Sequence, residues 1–306
     1  MKASKAGKAG KAMNAGGPSY FTEDRSAETV IARMEGCTDA RLKQIMSALI
    51  RHVHAAVKEV EPTDAEWMAA IEFLTETGHL CSQWRQEFIL LSDTLGISML
   101  VDAINHRKPS GATESTVLGP FHVADAPHRA LGDTIALDGK GRPLHISGRV
   151  LDERGQPIAG ATLDTWESNP DGFYDVQQRG IQPEHNLRGV FTTGPDGHFR
   201  FRTVMPTSYP IPHDGPVGKM LLSLGRHPYR PAHVHFIVKA AGFQPLTTHL
   251  FVPGDPYLAS DAVFAVKESL IGAFVQHDDA AQAKKLDLPN PFWTLERDFV
   301  LVKQPA

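Results

Sequence analysis

Between about residues 26 and 107, apolar residues recur every three or four positions, a spacing that predicts helices. The first long segment is DARLKQIMSALIRHVHAAVKEV, in which Leu42, Ile45 and Leu49 fall on one side of a helix. The pattern ends before Pro62, which cannot continue the backbone hydrogen bonds of a helix. We therefore predict one long amphipathic helix in this part of the chain.

Two further segments continue the helical pattern. The stretch TDAEWMAAIEFLTETG opens with Thr63 and Glu66, the spacing of a capping box, and closes at Gly78. The stretch QWRQEFILLSDTLGISMLVDAINHR is apolar over much of its surface, which indicates a helical segment packed on several sides. Asp93 is a polar exception within it, and Gly96 marks a break.

After about residue 110, Pro and Gly become frequent and the helical period disappears. The turn sequences ERGQP, GPDGH and PGDP separate short β-branched runs. We predict strands in LHISGRVLD, ATLDTWES, GHFRFRTV, AHVHFIV, LTTHLFV and RDFVLV. Short strands spaced in this way are typical of a β-sandwich.

The predicted fold class is therefore α+β, with an N-terminal helical region followed by a C-terminal β-sandwich. We assign residues 1–20 to a Lys/Ala/Gly-rich disordered tail, because a segment of this composition cannot bury a core. We assign residues 21–120 to the helical region and residues 121–306 to the sandwich.

Composition narrows the possible partners and compartment. With 306 residues and a formal net charge of −4, the chain gives no reason to expect a nucleic acid partner. No apolar run approaches the roughly 20 residues of a membrane span, and an apolar signal core is missing from the N-terminus. The two cysteines, Cys37 and Cys81, are too few for a disulfide framework or a cysteine metal cluster. We expect a cytoplasmic protein with both thiols as small buried apolar groups.

Two histidines, His233 and His235, are separated by one residue in a predicted strand and therefore share one face. Such a pair can bind a metal. Most such pairs, however, consist of one imidazole that is hydrogen-bonded in the core and another near an edge. Arg230 lies just upstream, and Tyr174 and Tyr209 lie in loops after predicted strands, where binding groups are common.

The motifs STVLGPF, GQPIAGATLDTWESNPDGFYD, YPIPHDGPVG and RPAHVHF identify a family. In this order and at this spacing they strongly resemble the intradiol ring-cleaving dioxygenases, over a region from about residue 27 to the C-terminus. The resemblance implies one Fe(III) per subunit bound by Tyr174, Tyr209, His233 and His235. It also implies that the substrate displaces Tyr209 and that Arg230 stabilises the ketonised substrate.

Further motifs bear on the substrate. LLSDTLGISMLVDAINHR, GRHPYRPAHVHF and GDPYLASDAVF are most similar to family members that cleave hydroxyquinol (benzene-1,2,4-triol) to maleylacetate. His249 stands where many catechol-cleaving relatives have Gln, and we count it among the catalytic residues. The substrate-binding residues that the resemblance implies are Phe88, Leu90, Asp93, Val117, Gly119 and Arg230.

Two alternatives stay open. Catechol or chlorocatechol is a close rival as the substrate, because a few residues that line the pocket decide the preference. The segments ISGRVLDERGQPIAGATLDTWES and TTGPDGHFRF also resemble transthyretin-like sandwiches, which serve as non-catalytic binding modules. That alternative leaves the two tyrosines, the paired histidines and Arg230 unexplained.

The helical region carries more apolar surface than the sandwich can cover. A homodimer that forms through the N-terminal helices is therefore expected. In relatives this interface also holds a lipid-like molecule, and the resemblance implies the same partner here.

Overall fold

A computed structural model of the chain describes residues 20–82 and 85–305. The tail that we assigned to residues 1–20 lies outside these ranges except for its last residue, Tyr20. The chain divides into two compact units, one that ends at Glu72 and one that begins at Phe73.

The first unit contains helix α1 (Ser26–Ala32), helix α2 (Ala40–Val60) and the beginning of helix α3 (Asp64–His79). The predicted capping box is confirmed, because the Thr63 backbone N–H donates to Glu66 Oε2 at 2.8 Å and the Glu66 N–H donates to Thr63 Oγ1 at 3.3 Å. No residue of α2 is buried, so its apolar side is half exposed in this chain.

The second unit continues with helices α4 (Glu87–Thr94) and α5 (Ile97–Asn105). The two are separated at Gly96, whose φ of +73° is readily adopted only by glycine. The segment that reads as one apolar stretch is thus two short helices with a break where the sequence indicated one. None of the helices in the described ranges is both long enough and apolar enough to cross a membrane.

The rest of the second unit is built on two main sheets. A five-stranded sheet has β1 at its centre, antiparallel to β4 on one side and parallel to β10 and β11 on the other. A four-stranded antiparallel sheet has the order β3-β2-β7-β8, and β5 and β6 form a separate pair. The strands are β1 (Pro143–Asp152), β2 (Thr162–Trp166), β3 (Arg188–Thr192), β4 (His198–Val204), β5 (Tyr209–Pro210), β6 (Tyr229–Arg230), β7 (His233–Lys239), β8 (Leu246–Phe251), β9 (Phe274–His277), β10 (Phe292–Glu296) and β11 (Phe299–Leu301). The predicted α+β sandwich is therefore confirmed, and helices α6 (Pro216–Ser223) and α7 (Ala280–Leu286) are additions to it.

The hydrophobic core lies between the two sheets. Strand β7 contributes Val234, Phe236 and Val238 to this core, where they meet side chains of the facing sheet such as Phe201 and Phe299. The alternate residues of β7 point to the opposite face. A second apolar cluster on that side contains Trp166, Tyr174, Tyr209 and Ile237.

Candidate metal centre and substrate cavity

Strand β7 presents His233 and His235 on the face that points away from the core, as the alternation predicts. Both imidazoles are almost completely buried, and their Nε2 atoms lie 3.1 Å apart. The Trp166 ring stacks on the His235 ring with 4.5 Å between centroids, which fixes the orientation of this imidazole.

The two tyrosines reach the same place from different segments, Tyr174 from a loop and Tyr209 from a short strand rather than the predicted loop. Tyr174 lies just before a short 3-10 turn, where its backbone N–H donates to Gln177 Oε1 at 2.9 Å. Tyr209 lies in β5, whose backbone pairs with Arg230 in β6. The two hydroxyl oxygens are 3.0 Å apart, and Tyr174 Oη lies 2.8 Å from His235 Nε2. Four potential metal donors, two phenols and two imidazoles, therefore converge.

Hydrogen bonding fixes one tautomer. His233 Nδ1 lies 2.6 Å from the Pro231 carbonyl oxygen, which can only accept, so Nδ1 carries the proton. The His233 Nε2 lone pair then faces the other three donors. Burial, followed by the charge of Arg230, lowers the pKa of His233 well below its ordinary value, so this imidazole is neutral.

Burial has the opposite effect on the phenol. It raises the pKa of Tyr174 well above its ordinary value, and the neighbouring Tyr209 adds to the shift. In the metal-free protein Tyr174 therefore keeps its proton. A cation among these donors would have to displace that proton, because the phenolate is the stronger metal ligand.

His249 of β8 pairs across the sheet with His235 and shares its face. Its ring centroid lies 4.2 Å from that of His235 and 4.8 Å from that of His233. The ring is fully buried, yet neither of its nitrogens has a hydrogen-bond partner among the described residues. Buried polar groups normally have partners, so the two nitrogens of this imidazole are available to a bound ligand or water.

A narrow cavity of about 70 Å³ opens beside Tyr209 and Arg230. The sequence-predicted residues that line it, besides these two, are Leu90, Asp93, Val117 and Gly119. Gly119 has a φ of +77°, and a Cβ at this position would lie 3.2 Å from Cε1 of His235. Only glycine allows the chain to pass this close to the imidazole.

Phe88 is the predicted pocket residue that the structure does not bring to this cavity. Its side chain is half exposed, and its ring lies next to the position that a Cβ on Gly78 would take. The helical period explains the difference, because Ile89 and Leu90 precede Asp93 by four and three positions and share its side of α4. Phe88 precedes Asp93 by five positions and faces elsewhere.

Arg230 is buried, and its Nε donates to Asp261 Oδ1 at 3.2 Å. One terminal nitrogen of the same guanidinium is buried without a partner in the described part of the chain. Asp93 is also nearly buried, and burial raises its pKa, whereas hydrogen bonding with Ser98 and the charge of Arg230 act in the opposite direction.

Several residues of the site were missed at the sequence level. Asp261 and Phe121 stand within the family motifs GDPYLASDAVF and STVLGPF, but the motifs alone assign them no role. Phe121 lines the cavity and stacks on Tyr174 with 4.5 Å between ring centroids. Ile211 and Val263 are apolar wall residues that stand within the motifs YPIPHDGPVG and GDPYLASDAVF, and these motifs likewise assign them no role.

Comparison with known proteins places this geometry in a family. One family model, described as dioxygenase, matches residues 117–302, and another, described as catechol dioxygenase N terminus, matches residues 39–113. The chain belongs to the intradiol ring-cleavage dioxygenases. This dioxygenase is 62% identical over 289 residues to the hydroxyquinol 1,2-dioxygenase of Rhizobium sp. strain MTP-10005, covering 94% of this chain and 98% of the relative.

Two other relatives extend the comparison. The dioxygenase is 49% identical over 281 residues to the 6-chlorohydroxyquinol 1,2-dioxygenase of Cupriavidus pinatubonensis, covering 92% of this chain and 98% of the relative. The crystal structure of the hydroxyquinol 1,2-dioxygenase from Pseudomonas putida DLL-E4 matches it with a TM-score of 0.87 at 47% identity, covering 92% and 99% of the two chains. A non-catalytic transthyretin-like module is not favoured by these matches.

Enzymes of this family depend on non-haem iron. The residues fit such an ion, because phenolate oxygens suit a hard cation and neutral imidazoles suit iron. Two phenolates and two imidazoles would also leave Fe(III) with a single residual positive charge.

Proposed function

We propose that this dioxygenase cleaves hydroxyquinol with O2 between its two adjacent hydroxylated carbons. One molecule of the triol and one of O2 give maleylacetate, which contains both oxygen atoms. The observation that carries the substrate assignment is a buried carboxylate, Asp93, in the cavity that also contains Tyr209 and Arg230. The similarity to the hydroxyquinol dioxygenases of Rhizobium and Pseudomonas putida supports it.

We further propose that one Fe(III) per subunit is bound by Tyr174, Tyr209, His233 and His235. The support is the convergence of their four donor atoms and the lone pair that His233 Nε2 directs at this point. When bound, ferric iron would supply Lewis acidity, which favours the loss of both protons from a chelated diol, and the resulting dianion is electron-rich enough to react with O2.

The two tyrosines then have different roles. Tyr209 lines the cavity and is in position to exchange with the substrate, and its Oη can accept a proton from one substrate hydroxyl. Tyr174 is fully buried and does not line the cavity, so it remains a permanent ligand.

Two cationic or polar groups act on the substrate. The unpaired terminal nitrogen of Arg230 donates to the substrate oxygen on which negative charge develops, and the low polarity of the site strengthens this interaction. His249 carries one N–H in either neutral tautomer and donates it to an oxygen atom of the reacting molecules.

Substrate selection rests on Asp93. We propose that this carboxylate accepts a hydrogen bond from the third hydroxyl of hydroxyquinol, while Leu90, Val117 and Gly119 contact the ring. Catechol lacks that hydroxyl, so Asp93 would be left buried without its partner. Catechol or a chlorocatechol is the alternative substrate.

For the whole chain we propose a cytoplasmic homodimer. Residues 21–120 serve as the dimerisation and linker region, and residues 121–306 serve as the catalytic sandwich. The half-exposed apolar residues of α2, among them Leu42, Ile45 and Leu49, support this assignment. A lipid-like molecule held between these helices is part of the same proposal.

Oxygen uptake with hydroxyquinol, catechol and 4-chlorocatechol, measured side by side with product identification, tests the function. We expect the highest kcat/KM for hydroxyquinol and maleylacetate as its product. Iron analysis and a visible absorption spectrum test the cofactor, since tyrosinate bound to Fe(III) colours a protein red. Faster turnover of catechol than of hydroxyquinol would contradict the substrate assignment, and a colourless, iron-free active protein would contradict the cofactor.

A further inference from the structure

Arg230 is held by a single side chain in the described structure. Its Nε pairs with Asp261 Oδ1 at 3.2 Å, and both side chains are almost completely buried. A guanidinium is planar, so a contact at Nε restricts the directions in which the two terminal nitrogens can point. One of these is buried without a partner among the described residues, and the Arg230 side chain lines the substrate cavity.

Asp261 is itself fixed by the loop that follows it. Its Oδ1 also accepts from the Val263 backbone N–H at 3.3 Å, and its Oδ2 accepts from the Ala265 N–H at 3.0 Å. Ala262, Val263 and Ala265 are buried in an apolar cluster, which gives this loop a rigid support. Val263 lines the substrate cavity as well, so the same loop connects the carboxylate to the cavity wall.

Asp261 is also the counter-ion of the buried Arg230 guanidinium. A buried guanidinium without a counter-ion is costly to keep in an apolar environment, and Asp261 is the carboxylate that contacts it. Because Asp261 occupies Nε, the terminal nitrogen remains available to a ligand. A carboxylate bound in a bidentate manner to both terminal nitrogens would have removed it.

We propose that Asp261 is a positioning residue, which aims the free guanidinium nitrogen of Arg230 at the substrate oxygen that becomes negatively charged. Asp261 does not touch the substrate and acts only through Arg230. This inference rests on the proposed function, in which Arg230 stabilises charge on the substrate.

A double-mutant cycle tests the proposal, with Asp261→Asn, Arg230→Met and the combined variant. Asp261→Asn keeps the size of the side chain but removes its charge and one acceptor. We expect it to lower kcat/KM by about 100-fold, mostly through kcat, because the guanidinium is misplaced when charge develops. In the Arg230→Met background the same change should lower kcat/KM by less than about 3-fold, since the group through which Asp261 acts is gone.

A structural role would give a different result, because the two losses would then multiply. A double variant whose loss in kcat/KM equals the product of the two single losses would overturn the proposal. An Asp261→Asn variant with wild-type kcat/KM would overturn it as well. Iron content and the tyrosinate absorption band should be unchanged in Asp261→Asn, since Asp261 contacts none of the four proposed ligands in the structure. A crystal structure of this variant should show the guanidinium turned away from the cavity, and an unmoved Arg230 would also contradict the idea.

One control variant and one fallback variant complete the design. Asp298 pairs with Arg149 at 2.7 Å outside the cavity, so Asp298→Asn removes an Asp–Arg pair without an effect on turnover. If Asp261→Asn does not fold, Asp261→Glu replaces it in the same double-mutant cycle. This substitution keeps the negative charge but displaces the carboxylate. The proposed function is judged on the wild-type protein alone, whereas the role of Asp261 is judged from differences among variants on the same diol.

Discussion

Tyr174 and Tyr209 offer the same phenol group from different surroundings. Tyr174 is fully buried beneath Phe121, whereas Tyr209 borders the substrate cavity. Their hydroxyl oxygens are 3.0 Å apart, close enough for one cation to contact both. At this scale, exposure to the cavity rather than residue type distinguishes the proposed permanent ligand from the proposed exchangeable one.

Replacing each tyrosine by Phe should therefore have different effects. Tyr174→Phe is expected to lose most of the iron and nearly all activity, because three donors remain and none can move into its buried position. Tyr209→Phe should keep part of the iron with an altered visible spectrum and slower turnover. Metal analysis and absorption spectra of the purified variants check this. A Tyr174→Phe protein with full iron and the wild-type spectrum would refute the ligand assignment.

Asp93→Ala should change substrate preference rather than simply inactivate the enzyme. We expect kcat/KM for hydroxyquinol to fall by about 10- to 100-fold, the range for a lost hydrogen bond to a charged group, while catechol turnover is kept or improved. Steady-state kinetics on both diols measure the ratio, and iron content controls for damage to the site. Equal losses on the two substrates would show that Asp93 does not select between them.

Glu167 gives a prediction about pH and stability. It is fully buried, accepts a hydrogen bond from Thr203, and burial raises its pKa from 4.5 to about 8, against the opposing effect of that bond. Between these two pKa values the folded protein holds a proton that the unfolded chain has lost, so stability falls as pH rises. Glu167→Gln removes this titration.

The difference in melting temperature, Glu167→Gln minus wild type, should therefore increase as the pH rises from about 5 to about 8. Thermal unfolding in a series of buffers measures the difference. Glu59 is exposed on α2, and Glu59→Gln is the matched control, for which the difference should stay constant. A constant difference for Glu167→Gln as well would contradict the assigned titration.

Strand β7 is the element that joins the core to the site. His233, His235 and Ile237 lie on the side of the candidate metal centre, and the even-numbered residues face the other sheet. The backbone hydrogen bonds to β2 and β8 on either side fix the strand, so the two imidazoles hold their spacing without a metal. One element thus carries stability on one face and chemistry on the other.

This division predicts that Val234→Ala reduces stability without emptying the metal site. Val234 is fully buried in the core between the two proposed ligands, and its truncation should lower the free energy of unfolding by about 1–3 kcal/mol. Denaturant unfolding and iron analysis separate the two effects. Loss of iron at unchanged stability would show that the two faces are not independent.

At the scale of the whole molecule, helix α2 has an apolar side that its own unit leaves half exposed. Leu42, Ile45, Leu49 and Val53 follow one another at three- and four-residue spacing along this side. An exposed stripe of this kind on a folded protein is typical of an interface. A second copy of the chain, related by a twofold axis, would cover it in both partners.

The variant Ile45→Glu/Leu49→Glu should therefore be monomeric at concentrations at which the wild type is a dimer, because the interface would have to bury two carboxylates. Light scattering after size-exclusion chromatography measures the mass. Arg51 lies on the opposite side of α2, so the variant Arg51→Glu is the control and should remain dimeric. A wild-type protein that is already monomeric would contradict the dimer.

The sequence by itself determined the structural features that depend on residues close together in the chain. The capping box at Thr63 and Glu66, the break at Gly96 and the shared face of His233 and His235 follow from local spacing, and the structure contains all three. The motifs were enough to identify the family, which the comparisons confirm.

Only the tertiary structure decided which segments that are distant in sequence come into contact. Strands β3, β5, β6, β9 and β10 were not predicted, because their pairing partners, not their own pattern, stabilise them. The approach of Tyr174 to His235 and the pairing of Arg230 with Asp261 join loops that lie far apart in the chain. The helical period places Ile89 rather than Phe88 on the side of α4 that carries Asp93, but only the packing of α4 decided that this side lines the cavity.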